Sequence, residues 1–271
     1  MQKVRIAIGN DTDFASKDAH MSADVFYPSW HNPEKIVFTV HGRNGSSDSL
    51  HMTKIIDAYL KNDYLVISPN LCNSQWNDSA GTGTDFTIAN HVRDTQRTIE
   101  WAKSRKAALG WVGDRFCLAG HSMGGYAAAF LAATTYHNEV SHILSVAPFT
   151  SGERIIDARI RFHPNGLENL QIEAPKALTE WPDYSIYDVI GRITMPVTVV
   201  VGIRDNLTLP SDIKDFFKAL PNGRKCMVIE GEHHCLVGEG ITEIFSAAVM
   251  DLERAVVQNR IVPRVCPNPE P

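Results

Sequence analysis

Short apolar, β-branched runs recur along this chain, and most are followed by a stretch with apolar residues three and four positions apart. KIVFTVHG (35–42) precedes SDSLHMTKIIDAYLKN (47–62), and YLVISPN (64–70) precedes IANHVRDTQRTIEWAKSRKAAL (88–109). RFCLAGHS leads into GGYAAAFLAATTYH, and HILSVAPF (142–149) follows. PVTVVVG (196–202) precedes SDIKDFFKAL (211–220), and KCMVIEG (225–231) precedes EIFSAAVMDLERAVVQ (243–258). A run that is apolar at every position belongs to a strand buried on both faces. Its alternation with helices predicts a mostly parallel sheet of about eight strands covered by helices on both sides. The opening runs VRIAIG (4–9) and MSADVFYPS (21–29) are shorter and more polar, which predicts antiparallel edge strands. Right-handed crossovers then bring the loops that follow the parallel strands to one edge of the sheet.

One α/β domain over residues 1–260 accounts for this alternation. The segment between the run at 142–149 and the run at 196–202 is too long for a bare connection. It predicts a lid insertion over about 150–194, holding one or two short helices, GERIIDARIRF and PKALTEW. The prolines of the last residues, 261–271, remove backbone donors and predict an extended or mobile tail.

Composition narrows the partners. Apolar residues make up 44% and charged residues 21%, as in a chain with a sizeable core. Lys+Arg of 26 against Asp+Glu of 31 gives a formal charge of −5 with no basic stripe, which speaks against nucleic acid. No stretch approaches the roughly 18 apolar residues of a membrane span. The N-terminus lacks the apolar core of a secretory signal. The five cysteines (Cys72, Cys117, Cys226, Cys235 and Cys266) are odd in number, without C-x-x-C spacing, and two fall inside apolar runs. A reducing, cytoplasmic location is the expectation.

The chemistry concentrates at Gly120-His121-Ser122-Met123-Gly124, a Gly-x-Ser-x-Gly between a strand-like run and an alanine-rich helix. Glycines on either side let strand and helix approach closely while the serine sits in a tight turn with its hydroxyl exposed. The helix that follows points its first amides at developing negative charge. A serine hydroxyl alone is a weak nucleophile; it needs a base, a group to orient that base, and donors for an oxyanion. AGTGTD (80–85) lacks the lysine and the strand–helix setting of a phosphate loop, so it reads as a loop near the site.

With HGRNGSS after the third strand, GHSMGG at the turn, GIRDNLTLP after PVTVVV and GEHHC after KCMVI, nearly the whole chain resembles the α/β-hydrolases. The order serine, acid, histidine is that family's order. The resemblance implies Ser122 as nucleophile, Asp205 as acid, and His234, three residues after Gly231, as base. It implies the Arg43 and Met123 amides as oxyanion donors. His233 stays open as the alternative base and Asp183 as the alternative acid; Asp212 reads as a helix-start residue. His41 is expected to orient its loop. The Arg43 side chain reads as a solvated loop-tip group, with a substrate carboxylate as its other possible partner. Phe162, Leu167, Trp181, Tyr184 and Tyr187 are candidate pocket residues, as are Trp76 and Asn77. No cofactor is implied, and metal binding by His233–His234 is not supported by further ligands. The expected partner is a small-molecule acyl substrate, first of all a carboxylic ester of small or medium size. An amide, thioester or C–C bond beside a carbonyl fits the same scaffold. A non-catalytic binding protein would be expected to lack a member of the triad, and none is missing.

Overall fold

In the computed structural model, which describes residues 2–9, 20–28 and 33–261, the apolar runs form eight strands. They are β1 (Gln2–Ile8), β2 (Met21–Tyr27), β3 (Ile36–Val40), β4 (Leu65–Asn70), β5 (Phe116–His121), β6 (Val140–Val146), β7 (Val197–Gly202) and β8 (Gly223–Ile229). The helices are α1 (Leu50–Leu60), α2 (Ile88–Ser104), α3 (Lys106–Leu109), α4 (Met123–Ala133), α5 (Gly152–Phe162), α6 (Gly166–Glu173), α7 (Ala177–Glu180), α8 (Pro210–Ala219) and α9 (Ile241–Ile261). The strands make one sheet in the order β1-β2-β4-β3-β5-β6-β7-β8. β1 and β2 run antiparallel at one edge, and the rest are parallel from β4 to β8.

Side chains alternate across each strand, which explains why the runs are apolar throughout. Ile36, Phe38 and Val40 face one layer, with α2, α4 and α8, through Ile99, Tyr126 and Phe216. Val37 faces the other, where Ile55 and Tyr59 of α1 meet Phe245 and Val249 of α9. A fully buried side chain of this size contributes about 1.5–3 kcal/mol, so both layers are needed to hold the sheet.

Local chemistry sets several helix ends. Thr87 caps α2, its hydroxyl accepting from the Asn90 N–H at 3.0 Å. Pro210 starts α8, where its fixed φ suits the first helical turn. The expected helix over 88–109 divides at Arg105 (φ −122°) into α2 and α3. Between β6 and β7 the chain forms α5, α6 and α7 with short 3₁₀ turns, one helix more than the apolar spacing predicts. This insertion is tied down: the Glu180 carboxylate accepts from the Ile88 and Ala89 N–H groups at 3.0 and 3.2 Å, occupying free donors at the start of α2. The proline-rich tail and Cys266 lie outside the described residues, as does the end of the 21–29 run. No described helix is long and apolar enough to cross a membrane.

Candidate active site

Four loops that follow strands converge at the sheet's carboxyl edge: Gly42–Arg43 after β3, Ser122 after β5, Asp205 after β7 and His234 after β8. Ser122 has φ 54° and ψ −120°, a conformation that costs a non-glycine residue about 1–3 kcal/mol. Its backbone is held on all sides. Its N–H donates to Val146 O at 3.0 Å, and its carbonyl accepts from Gly125, Tyr126 and Phe149 at 2.9, 3.2 and 2.9 Å. The glycines permit the close approach. A Cβ at Gly124 would meet the Val40 carbonyl oxygen closer than 3.0 Å, and one at Gly120 the Gly124 carbonyl. Met123 opens α4, so its N–H has no intrahelical acceptor.

Asp205 is 3% exposed, and hydrogen bonds surround its carboxylate. Oδ1 accepts from the Leu207 and Thr208 N–H groups at 2.9 Å each. Oδ2 accepts from the Thr208 hydroxyl at 2.7 Å and from His234 Nδ1 at 2.8 Å. Burial alone would raise its pKa, but the hydrogen bond and charge of His234, with Thr208 and the Leu207 amide, hold it below the ordinary carboxylate value. With Nδ1–H committed to the carboxylate, the neutral His234 ring keeps its lone pair on Nε2. The loop beneath is held by His121, whose Nε2–H donates to the His234 carbonyl at 2.9 Å.

Ser122 and His234 line one cavity of about 180 Å³, together with Arg43, Met123, Phe149 and Trp181. Larger hollows lie elsewhere, one of about 520 Å³ between Lys35 and Glu253, without a serine–histidine pair of this kind. His41 has the orienting position that the sequence suggests. Its Nδ1–H donates to Gly42 O at 2.7 Å, and its Nε2 accepts from the Leu71 N–H at 2.9 Å. Burial lowers its pKa to about 4, so the ring is neutral while both nitrogens are engaged. Among the described residues no group of three or more His, Cys, Asp or Glu side chains could hold a metal ion.

A family profile described as alpha/beta hydrolase fold matches residues 35–170. The chain belongs to the alpha/beta hydrolase fold family. Among solved structures, this alpha/beta hydrolase is similar to Est1E from Butyrivibrio proteoclasticus with ferulic acid bound. The identity is 19%, coverage is 92% of this chain and 99% of that one, and the TM-score is 0.74. It is similar to the Pyrococcus furiosus esterase Pf2001 at 18% identity, 94% and 93% coverage and TM-score 0.68. GrgF, an alpha/beta hydrolase from Penicillium sp. sh18, aligns at 15% identity, 95% and 100% coverage and TM-score 0.72. At these identities the likeness concerns the fold. No curated protein matches the sequence.

In this alpha/beta hydrolase, the two adjacent histidines diverge. His234 meets Asp205, whereas His233 turns outward and accepts the Cys235 N–H at 3.2 Å. Asp212 pairs with Arg154 at 2.9 Å, and Asp183 ends a 3₁₀ turn; neither lines the cavity. Of the five candidate lid residues only Trp181 lines it; Phe162 is 50% exposed, Tyr184 packs on Tyr126 and Tyr187 on Arg154. Trp76 does line it, 67% exposed at the rim. Asn77 is structural, donating to Gly45 O and Leu71 O. No residue of the 80–85 loop lines it. The Arg43 side chain departs most from expectation, since it is 12% exposed and bonded to Glu173 of α6 at 2.7 Å. Sequence reasoning missed Ile155 and Arg159, though both lie in the predicted helix one turn apart, the spacing that puts two residues on one face.

Proposed function

We propose that the protein is a serine hydrolase cleaving a carboxylic ester of a small or medium substrate. The observation that carries this reading is the 2.8 Å contact of His234 Nδ1 with buried Asp205, on a ring that shares its cavity with Ser122. Ser122 Oγ attacks the ester carbonyl carbon as His234 Nε2 takes its proton, and Asp205 stabilises the imidazolium. The oxyanion receives the Arg43 and Met123 N–H groups, each worth about 3–4 kcal/mol in the transition state. His234 returns the proton to the departing alkoxide, leaving an acyl-serine. It then deprotonates a water that attacks the acyl carbon, and the proton passes back to Ser122 as the acid leaves. The esterases among the structural neighbours favour an ester over an amide, thioester or C–C bond. No metal or cofactor enters this scheme. The four described cysteines are free thiols, consistent with a reducing, cytoplasmic setting. A panel of nitrophenyl esters and nitroanilides of varied acyl length tests the reading on wild type and Ser122→Ala. Ester turnover lost in the variant is expected; turnover unchanged in the variant, or confined to anilides, contradicts it.

A further inference from the structure

Within the cavity of Ser122 there is a surplus of hydrogen-bond donors. Arg43 and Arg159 both line it, and no aspartate or glutamate does. Arg43 Nη1, Arg159 Nε and the indole N–H of Trp181 are buried without an acceptor. Buried donors are normally paired, and a buried tryptophan N–H usually finds a partner. These lining side chains leave more buried donors than acceptors, since the lining's other unpaired buried atom, His121 Nδ1, is a single acceptor, so a further acceptor is called for. The Glu173 carboxylate, on Arg43 Nη2 at 2.7 Å, offsets one of the two cations. One net positive charge remains, which matches a monoanion better than a phosphate dianion. Burial and the neighbouring Arg43 both disfavour the charged form of Arg159, with Glu173 opposing them, so an added anion would relieve the site. On the hydrolase reading above, the Arg43 amide serves the oxyanion, so a group held by the Arg43 side chain lies only a few atoms along the substrate from the reacting carbon.

We infer that the acyl chain of the substrate ends in a carboxylate, received by the Arg43 and Arg159 guanidinium groups with the Trp181 N–H. The substrate class is then a monoester of a short dicarboxylic acid, an inference that rests on the ester-hydrolase reading above. Planar guanidinium groups match a carboxylate in a two-point fork. Phe149 and Ile155 supply apolar walls for the methylenes between the two carbonyl carbons.

Two arms test this. In the first, mono-4-nitrophenyl adipate is compared with 4-nitrophenyl heptanoate, and 4-carboxyphenyl hexanoate with phenyl hexanoate. Wild type should favour the adipate in kcat/KM by about 30-fold, equivalent to about 2 kcal/mol. Most of that should appear in KM, and the carboxyphenyl pair should show no such preference. In Arg159→Met the adipate preference should fall below threefold, and Arg159→Lys should retain part of it. An equal rate for the adipate and the heptanoate in wild type, or a preference confined to the carboxyphenyl ester, overturns the inference. The second arm titrates adipamate (the monoamide, a monoanion), neutral hexanamide and inorganic phosphate into wild type and Arg159→Met by calorimetry. Adipamate should bind at least tenfold tighter than either, only with Arg159 present. Phosphate binding as tightly as adipamate, or adipamate binding undiminished by Arg159→Met, overturns it. The second arm does not depend on ester turnover. A protein that hydrolyses no ester yet binds adipamate through Arg159 sinks the esterase reading and leaves the anion site standing.

Discussion

His234 Nδ1 lies 2.8 Å from Asp205 Oδ2, while the neighbouring His233 faces away and only accepts an amide from Cys235. Two adjacent imidazoles therefore have different consequences when removed. His234→Ala should lower kcat by at least about 10³-fold, the scale of losing a triad member. His233→Ala should stay within about threefold of wild type. Steady-state kinetics with a nitrophenyl ester checks this, and equal losses in the two variants would count against His234 as base.

Asp205 has four hydrogen bonds to donors, one of them the base. Asp205→Asn keeps the shape but presents a donor or a weaker acceptor to Nδ1, favouring the wrong tautomer. A fall in kcat of about 10³–10⁴-fold with little change in KM is expected. A loss under tenfold, with the fold intact by circular dichroism, would be at odds with the carboxylate orienting the ring.

The turn at Ser122 depends on backbone contact that only glycine allows. Gly124→Ala would push a methyl group into the Val40 carbonyl, and several kcal/mol of destabilisation or failure to fold is expected. Gly191 has nothing within 4 Å of a would-be Cβ, so Gly191→Ala should stay within about 1 kcal/mol of wild type. Urea denaturation compares the pair. Matching stabilities would mean that the strand–helix contact at the turn is looser than described.

Several histidines are held as neutral rings, His41, His91 and His142 buried and His51 half-buried. Burial lowers His41 and His51 to about 4, and His91 and His142 to about 3. An unfolded histidine titrates near 6.5, so between about pH 6.5 and 4 the unfolded chain binds protons that the folded chain does not. Stability is then complete above about pH 6.5 and falls on acidification, by about 3 kcal/mol for His41 alone at pH 4. Asp205, held low, adds a further loss as pH drops through its folded value. Denaturant midpoints at pH 7.5, 5.5 and 4.5 should decline in that order, whereas midpoints unchanged down to pH 4.5 would rule out the buried neutral rings.

Much of this was legible in the sequence because parallel strands buried on both faces leave uninterrupted apolar runs. The loops after β3, β5, β7 and β8 follow from that alternation together with their glycine and turn signals. The pocket was not legible. Helix α6 escaped because GLENLQIE buries Leu170 while Ile172 stays exposed, so its apolar residues mark no single face. Arg43 read as solvated because its partner, Glu173, is 130 residues away on that unseen helix. Trp181 and Tyr184 are chemically alike in sequence, and only tertiary packing sends one to the cavity and the other onto Tyr126.

The hydrolytic account is tested most directly by reaction with a fluorophosphonate probe, read by intact mass and by mapping of the labelled peptide. A single adduct on Ser122, absent in Ser122→Ala and strongly slowed in His234→Ala, is the result expected. Labelling at another residue, or labelling that persists in Ser122→Ala, would contradict it.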